Sequence, residues 1–431
     1  MRGTRRADAV LLLAFLALLL LPGAAMLTRP APLNATLNAP REPDREADRR
    51  GGLEGVLALL ANLPGRFDAD YGLRRTLVRS NNLLRLALFR ESPVPEVVAG
   101  QSPWLFYAGE WVLEDYENRQ PYTAKDLERI RLNLTARRDW LAARGARYLI
   151  VIAPNKHTVY GEYLPSAFGK IREDSRLDQA AAYLAEHSDL EFLDLRPALF
   201  AAKAQDRVYD YTDTHWNDLG GFAASQAILD RLGRMFPGVK PLSREDYELA
   251  PETGPGGDLA RLLSLQDHFP EKRMNLRKKT PPRARPGTRD YEDPSGIAER
   301  AMQVRETGDA GAPRALVFRD SYAWKLIPFL SERLQSAVYI WDMRFFPEIV
   351  EKEKPDVVIR ECVERYLNAL LRETPGIFPP PETPAPPETT GTAIAAAGTG
   401  GPDAPNAHDA PEEMGAPERE KQRTRQARHA R

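Results

Sequence analysis

Two short blocks hold the residue types that nucleophilic acyl chemistry needs. In Tyr211-Thr212-Asp213-Thr214-His215-Trp216-Asn217-Asp218 a carboxylate stands two positions before a histidine, inside a polar turn. A neutral imidazole beside a carboxylate is a general base: the carboxylate fixes the tautomer and stabilises the imidazolium that forms. Such a base requires a hydroxyl or thiol elsewhere, and the candidate is Ser321 in Leu316-Val317-Phe318-Arg319-Asp320-Ser321-Tyr322. His215 would take the proton of Ser321, Ser321 would attack an acyl carbonyl, and Asp213 would orient His215. Each block alone is common; the pair at strand ends of one α/β sheet is more specific. Asp210 and Asp218 are rival orienting groups, and a plain reading makes Ser321 a helix N-cap and His215 a packed structural residue. A metal site built from Asp210, Asp213, His215 and Asp218 is the weaker option. No second histidine lies near, and clustered aspartates form turns. Neither metal nor cofactor is expected.

These residues must be held by an α/β framework. Arg147 to Ala153 is a continuous apolar run, the pattern of a strand buried on both faces of a parallel sheet. It stops at Pro154-Asn155-Lys156, at the edge where open α/β sheets bind ligands. Further strands are expected at Glu191–Leu195, Arg314–Phe318, Ala337–Trp341 and Asp356–Ile359, with helices over about 126–144, 174–187 and 347–354 and another ending near Met235. Val94 to Phe106 reads as strand-turn-strand, and Gly51 to Arg90 has helical periodicity with arginines on a solvated face. Residues 237–313 break the rhythm and read as a long surface excursion near the site. Its basic run from Lys272 to Arg289 is either an attraction for an acidic substrate or an ordinary solvated charge run. His157 is either solvated or turned toward the cleft. Trp216 and Trp104 are either core residues or platforms for a sugar ring.

The chain has 431 residues and a net charge of -1, so nothing marks it for a polyanion, and no nucleic-acid partner is expected. Its one cysteine, Cys362, excludes an intrachain disulfide and a multi-cysteine metal site. Arg2, Arg5 and Arg6 precede an apolar run from Ala9 to about Leu27. This is a cleaved signal peptide or, as favoured here, a signal anchor, either of which places the remainder outside the cytoplasm. Residues 28–50 read as a flexible stalk, 51–374 as the catalytic domain, and 375–431 as a disordered Pro/Ala/Gly-rich tail.

Asp213-Thr214-His215-Trp216-Asn217-Asp218-Leu219-Gly220 resembles the Asp-x-x-His block of the SGNH hydrolases, shortened by one residue, and Phe318-Arg319-Asp320-Ser321-Tyr322 resembles their Gly-Asp-Ser block. The match is nearest to the alginate O-acetyltransferase family and runs from roughly Phe67 to Leu371. It includes Ala153-Pro154-Asn155-Lys156-His157 and Gly257-Asp258-Leu259. The resemblance implies a circularly permuted SGNH-like parallel sheet flanked by helices, because His215 precedes Ser321. It implies O-acetylation of an exported polysaccharide in the periplasm. The donor would come from an integral membrane acyltransferase at the inner membrane. Arg319 stands where the parent motif has glycine, and Glu361 to Arg365 lacks the usual Gly-x-Asn-Asp, so the oxyanion donors do not carry over. Asn155, Arg365 and Trp216 are named as substrate-binding candidates, with a turn cap and a pairing to Glu361 or Glu364 as the plainer roles of the first two. A carbohydrate acetylesterase and a non-catalytic polysaccharide-binding scaffold are the alternative functions.

Overall fold

In the computed structural model the described residues are 74–294, 296 and 302–372, together with 12, 13, 15 and 16. The expected anchor is thus almost wholly, and the stalk and tail are wholly, outside the described residues. Among these residues no helix is long and apolar enough to cross a membrane.

Among the described residues eleven strands follow in chain order: β1 (Val97–Ala99), β2 (Leu105–Tyr107), β3 (Arg147–Ala153), β4 (Glu191–Asp194), β5 (Tyr247–Gly254), β6 (Glu271–Lys278), β7 (Arg285–Pro286), β8 (Gln303–Glu306), β9 (Arg314–Phe318), β10 (Ser336–Ile340) and β11 (Val357–Val363). Seven of them form one sheet in the order β4-β3-β11-β9-β10-β8-β7. The five strands from β4 to β10 run parallel, whereas β8 and β7 extend the sheet antiparallel.

The central strands β3, β11, β9 and β10 are buried on both faces, as their apolar sequences require. Along β3, Leu149, Val151 and Ala153 point into one core and Tyr148, Ile150 and Ile152 into the other, the period of two that a pleated strand imposes. β9 divides likewise, with Ala315 and Val317 on the first side and Leu316 and Phe318 on the second. Helix Asp218–Met235 covers the first face through Phe222, Ile228, Leu229 and Leu232. Helices Ala124–Ala142 and Arg176–His187 cover the second through Ile130, Leu134, Leu141, Leu177 and Leu184. Thr123 with Asp126, and Ser175 with Asp178, form reciprocal capping boxes that start these two helices at fixed points.

The excursion is more ordered than a surface loop. β5 and β6 pair over eight residues, and Asp258–Leu262 is a short helix. β7 and β8 return to the main sheet because β10 offers an open edge that β8 pairs with. Within the hairpin Glu252 stands opposite Arg273 and Glu248 opposite Arg277, so two residues of the basic run face acidic partners across the strands. The segment after Ser321 is a 3-10 turn, Ser321–Lys325, before the short α-helix Ile327–Leu330.

Candidate active site

Three strands of the parallel set deliver site residues at their carboxyl ends. β9 runs directly into Arg319-Asp320-Ser321, β3 into Pro154-Asn155-Lys156, and β11 into Glu364-Arg365. His215 lies just before helix Asp218–Met235, whose first amides, Leu219 and Gly220, donate to Asn217 Oδ1 at 3.0 and 3.1 Å. That cap fixes where the helix begins and hence where His215 sits.

The two blocks meet. His215 Nε2 lies 2.8 Å from Ser321 Oγ, and His215 Nδ1 lies 2.8 Å from Asp213 Oδ1. With Nδ1 donating to the carboxylate, Nε2 carries the lone pair and accepts the seryl proton. The backbone N–H of His215 donates to the same Asp213 oxygen at 3.0 Å, so side chain and main chain are set together. Asp320 is the N-cap of the turn, accepting from Tyr322 N–H at 2.8 Å. Its other oxygen accepts from Val363 N–H at 2.7 Å. Capping is thereby done by Asp320, and the Ser321 hydroxyl is left to His215.

Two aromatic residues join the blocks a second time. Trp216 Nε1 donates to Tyr322 O at 3.0 Å, and Tyr322 Oη donates to Thr214 O at 2.9 Å. The His215 and Tyr322 rings are 5.0 Å apart. Trp216 is only 1 % exposed, so its ring belongs to the core and has no face for a sugar; the expected substrate contact is corrected to a structural one.

A second carboxylate stands beside the first. Asp258 Oδ2 lies 3.6 Å from His215 Nδ1. Its backbone N–H donates to Asp213 Oδ2 at 3.2 Å, and its Oδ1 accepts from Thr214 N–H at 2.7 Å. Sequence reading missed this role, although Gly257-Asp258-Leu259 stood out in the excursion. The approach depends on Gly257, where a Cβ would come within 2.6 Å of Asp213 Cβ and Oδ2. Asp210 and Asp218, the rival orienting groups, are employed elsewhere. Asp210 lies 3.5 Å from Arg207, and Asp218 accepts from Leu276 N–H and Lys325 Nζ. Among the described residues, Asp213, His215 and Asp258 are also the one set with the spacing to share a metal ion.

The electrostatics follow from this crowding. Burial alone would push the Asp213 carboxyl up, but the hydrogen bond from His215 and its charge hold it well below the ordinary range. Burial would depress His215; the Asp213 hydrogen bond and charge, with Asp258 behind, outweigh it and raise the imidazole above its usual value. Asp258 is raised by burial and by the neighbouring Asp213 charge. Beneath Ser321, Asp320 N–H donates to Glu361 Oε2 at 3.2 Å, and burial, then the Asp320 charge, raises Glu361 far above an ordinary carboxyl. Arg319, in the place of the parent glycine, is buried, stacks 4.7 Å from the Trp341 ring and donates to Asp320 O.

The other candidates sit as a group on the far side of Tyr322. Arg365 donates to Glu110 Oε2 at 3.0 Å and to Asn155 Oδ1 at 3.3 Å, and its guanidinium lies 5.6 Å from the Tyr107 and Tyr322 rings. Its acidic partner is therefore Glu110, not Glu361 or Glu364. Glu364 turns inward and accepts from Asn155 N–H and Thr158 Oγ1. Asn155 begins the helix Lys156–Tyr160 without capping it through its side chain. His157 is buried with its ring 5.2 Å from Phe106, and desolvation lowers it to about 3, so it is neither solvated nor a base.

A parallel sheet of this order, with a serine-histidine-aspartate relay at its carboxyl edge, is an SGNH hydrolase-like fold. A family model described as the SGNH hydrolase-like domain of the acetyltransferase AlgX matches residues 97–339. The chain belongs to that family. It is 29 % identical over 340 residues to the probable alginate O-acetylase AlgJ of Pseudomonas putida, covering 73 % of this chain and 80 % of that one. It is 28 % identical over 352 residues to the protein of the same description from Azotobacter vinelandii, covering 74 % and 81 %. Among solved structures, the O-acetyltransferase domain of Pseudomonas putida AlgJ superimposes with a TM-score of 0.43 at 23 % identity, over 65 % of this chain and 94 % of that domain.

Proposed function

We propose that this protein is an O-acetyltransferase that moves acetyl groups onto hydroxyls of an exported, alginate-like polysaccharide through an acyl-enzyme on Ser321. The observation that carries this reading is the unbroken relay from Ser321 Oγ through His215 to Asp213, with 2.8 Å at both links. Membership of the AlgX acetyltransferase family and similarity to proteins named probable alginate O-acetylase supply the acyl group and the acceptor class.

In the first half-reaction His215 Nε2 takes the seryl proton as Oγ bonds to the acetyl carbonyl carbon of the donor. Collapse of the tetrahedral intermediate breaks the bond to the leaving group, which leaves with the proton from His215. In the second, a sugar hydroxyl gives its proton to His215 and attacks the acetyl-serine; collapse releases the acetylated sugar and returns the proton to Ser321. Asp213 stabilises the imidazolium in both halves. The Ser321 backbone N–H, at the first residue of the 3-10 turn, is the candidate oxyanion donor. An integral membrane acyltransferase delivers the donor, and the N-terminal segment keeps the enzyme at the inner membrane, in the periplasm, where the polymer passes.

A carbohydrate acetylesterase is the second reading. The His215 side chain is 28 % exposed and that of Asp258 37 %, which gives water access to the same relay. Mass spectrometry after exposure to an activated acetyl ester tests the acyl-enzyme: an acetyl adduct is expected on Ser321 and absent in Ser321→Ala. An adduct on another residue, or none, overturns the mechanism. Adding an oligosaccharide then separates the two readings, since acetylated sugar marks transfer and free acetate alone marks hydrolysis.

A further inference from the structure

Lys156 is buried to 1 % exposure at the carboxyl end of β3, in the motif Pro154-Asn155-Lys156, and the relay above makes no use of it. Its Nζ donates to three backbone carbonyls: Leu105 at 2.7 Å, Tyr211 at 2.9 Å and Asp213 at 2.9 Å. An ammonium has three protons and no lone pair, so every donor is satisfied. The neutral amine has only two protons and would turn its lone pair on one of these oxygens. The site therefore matches the charged form.

We propose that Lys156 is a positioning residue, whose ammonium clasps the turn Tyr211–Asp213 to β2 and β3 and thereby aims the Asp213 carboxylate at His215. The inference rests on the relay proposed above and deepens it. Leu105 N–H also donates to Tyr211 O at 2.9 Å, so the turn is pinned from two sides. A purely space-filling role between Trp104 and Phe106, whose rings lie 5.2 and 5.3 Å from Nζ, would be served by methionine without burying a charge. Burying a cation is costly in desolvation, and that cost is met here by hydrogen bonds to three main-chain carbonyls, one of them that of the residue that must be aimed. Burial draws the ammonium down to about 7, against the pull of Asp213, Asp258, Glu271 and Asp210.

The test uses the full chain with Lys156→Met, Lys156→Gln, Asp213→Asn and the double variant Lys156→Met/Asp213→Asn. The acetylation of Ser321 by an activated acetyl ester and the proton NMR signal of the His215 Nδ1–H are both followed. Lys156→Met is expected to lower kcat by about 10- to 100-fold with little change in KM, the loss typical of a misaimed group. It should also move or erase the deshielded Nδ1–H signal. The double variant should be no slower than Asp213→Asn alone, because Lys156 acts through Asp213. Multiplying losses, or an unchanged signal and rate, overturn the proposal. Should Lys156→Met not fold, Lys156→Gln is judged by the same signal and rate. The NMR readout needs no acyl transfer. A wild-type chain that forms no adduct therefore sinks the acyl-enzyme alone, and the clasp is still decided by the Nδ1–H signal.

Discussion

Replacing Gly257 by alanine tests the relay without substituting any of its members. The added Cβ would lie 2.6 Å from both Cβ and Oδ2 of Asp213 and 2.8 Å from Thr212 O. Ordinary contact begins near 3.4 Å, so Asp213 or its turn must retreat by roughly 0.8 Å. Backbone strain is not a factor, because Gly257 has φ -70°, a value any residue adopts. The retreat stretches the 2.8 Å bond to His215 and the 3.2 Å bond that Asp213 accepts from Asp258 N–H. Hydrogen bonds to a charged group contribute about 1.5–3 kcal/mol each, so weakening one predicts a loss of about 10- to 100-fold in the rate of Ser321 acetylation. Asp213→Asn, which leaves His215 in the wrong tautomer, should lose more, on the order of 10⁴. Stopped-flow acylation with an activated acetyl ester reads both, with circular dichroism and thermal melting to confirm the fold. Gly169→Ala, where an added Cβ meets nothing within 4 Å, is the matched control. A Gly257→Ala enzyme that folds and acylates at the wild-type rate would refute the view that Asp213 orients His215.

Because acylation needs neutral His215 and Asp213 raises its pKa, the acylation rate should climb with pH through a midpoint above the ordinary histidine value; in Asp213→Asn the midpoint should fall. The matching stability contribution is fully present below the unfolded-state pKa of about 6.5 and is lost as pH rises through the raised folded value, which melting across that window checks. Glu271 is wholly buried and accepts from Thr212 N–H, Thr212 Oγ1 and Arg207, so Glu271→Ala should cost about 3–5 kcal/mol in denaturant unfolding. Trp324, three residues beyond Ser321, is 58 % exposed and can stack on a sugar. Trp324→Ala should raise KM for an oligosaccharide acceptor while leaving adduct formation with a small ester unchanged.

Strands buried on both faces were legible because continuous apolar runs such as Tyr148–Ala153 have few other uses; β3 and β9 fell where expected, and β4 ends one residue earlier, at Asp194. Ser321 was legible as a residue just past such a strand; Asp213 and His215 were legible by type, but they lie in the turn before helix Asp218–Met235 rather than at the strand end expected. Asp258 was not, since its role depends on Gly257 admitting the 256–262 segment against Asp213, a tertiary contact with no local periodicity. β7 and β8 were missed for a related reason: they are short, polar and defined by the open edge of β10 rather than by their own sequence. Trp216 was left open between core and ligand because an indole next to such a histidine looks the same in sequence whether it faces a ligand or, as here, donates to Tyr322 O within the core.

The paired contacts Trp216 to Tyr322 and Tyr322 to Thr214 rivet the turn before helix Asp218–Met235 to the 3-10 turn after β9, residues 106 and 108 positions apart in the chain. Parts of the span between them that touch neither Asp213 nor its turn can consequently change length at small cost, because closing a longer loop costs only about 0.6 kcal/mol per doubling. The edge strands β7 and β8 are such territory, whereas the 257–262 segment and Glu271, which touch Asp213 and Thr212, stay tied to the riveted residues.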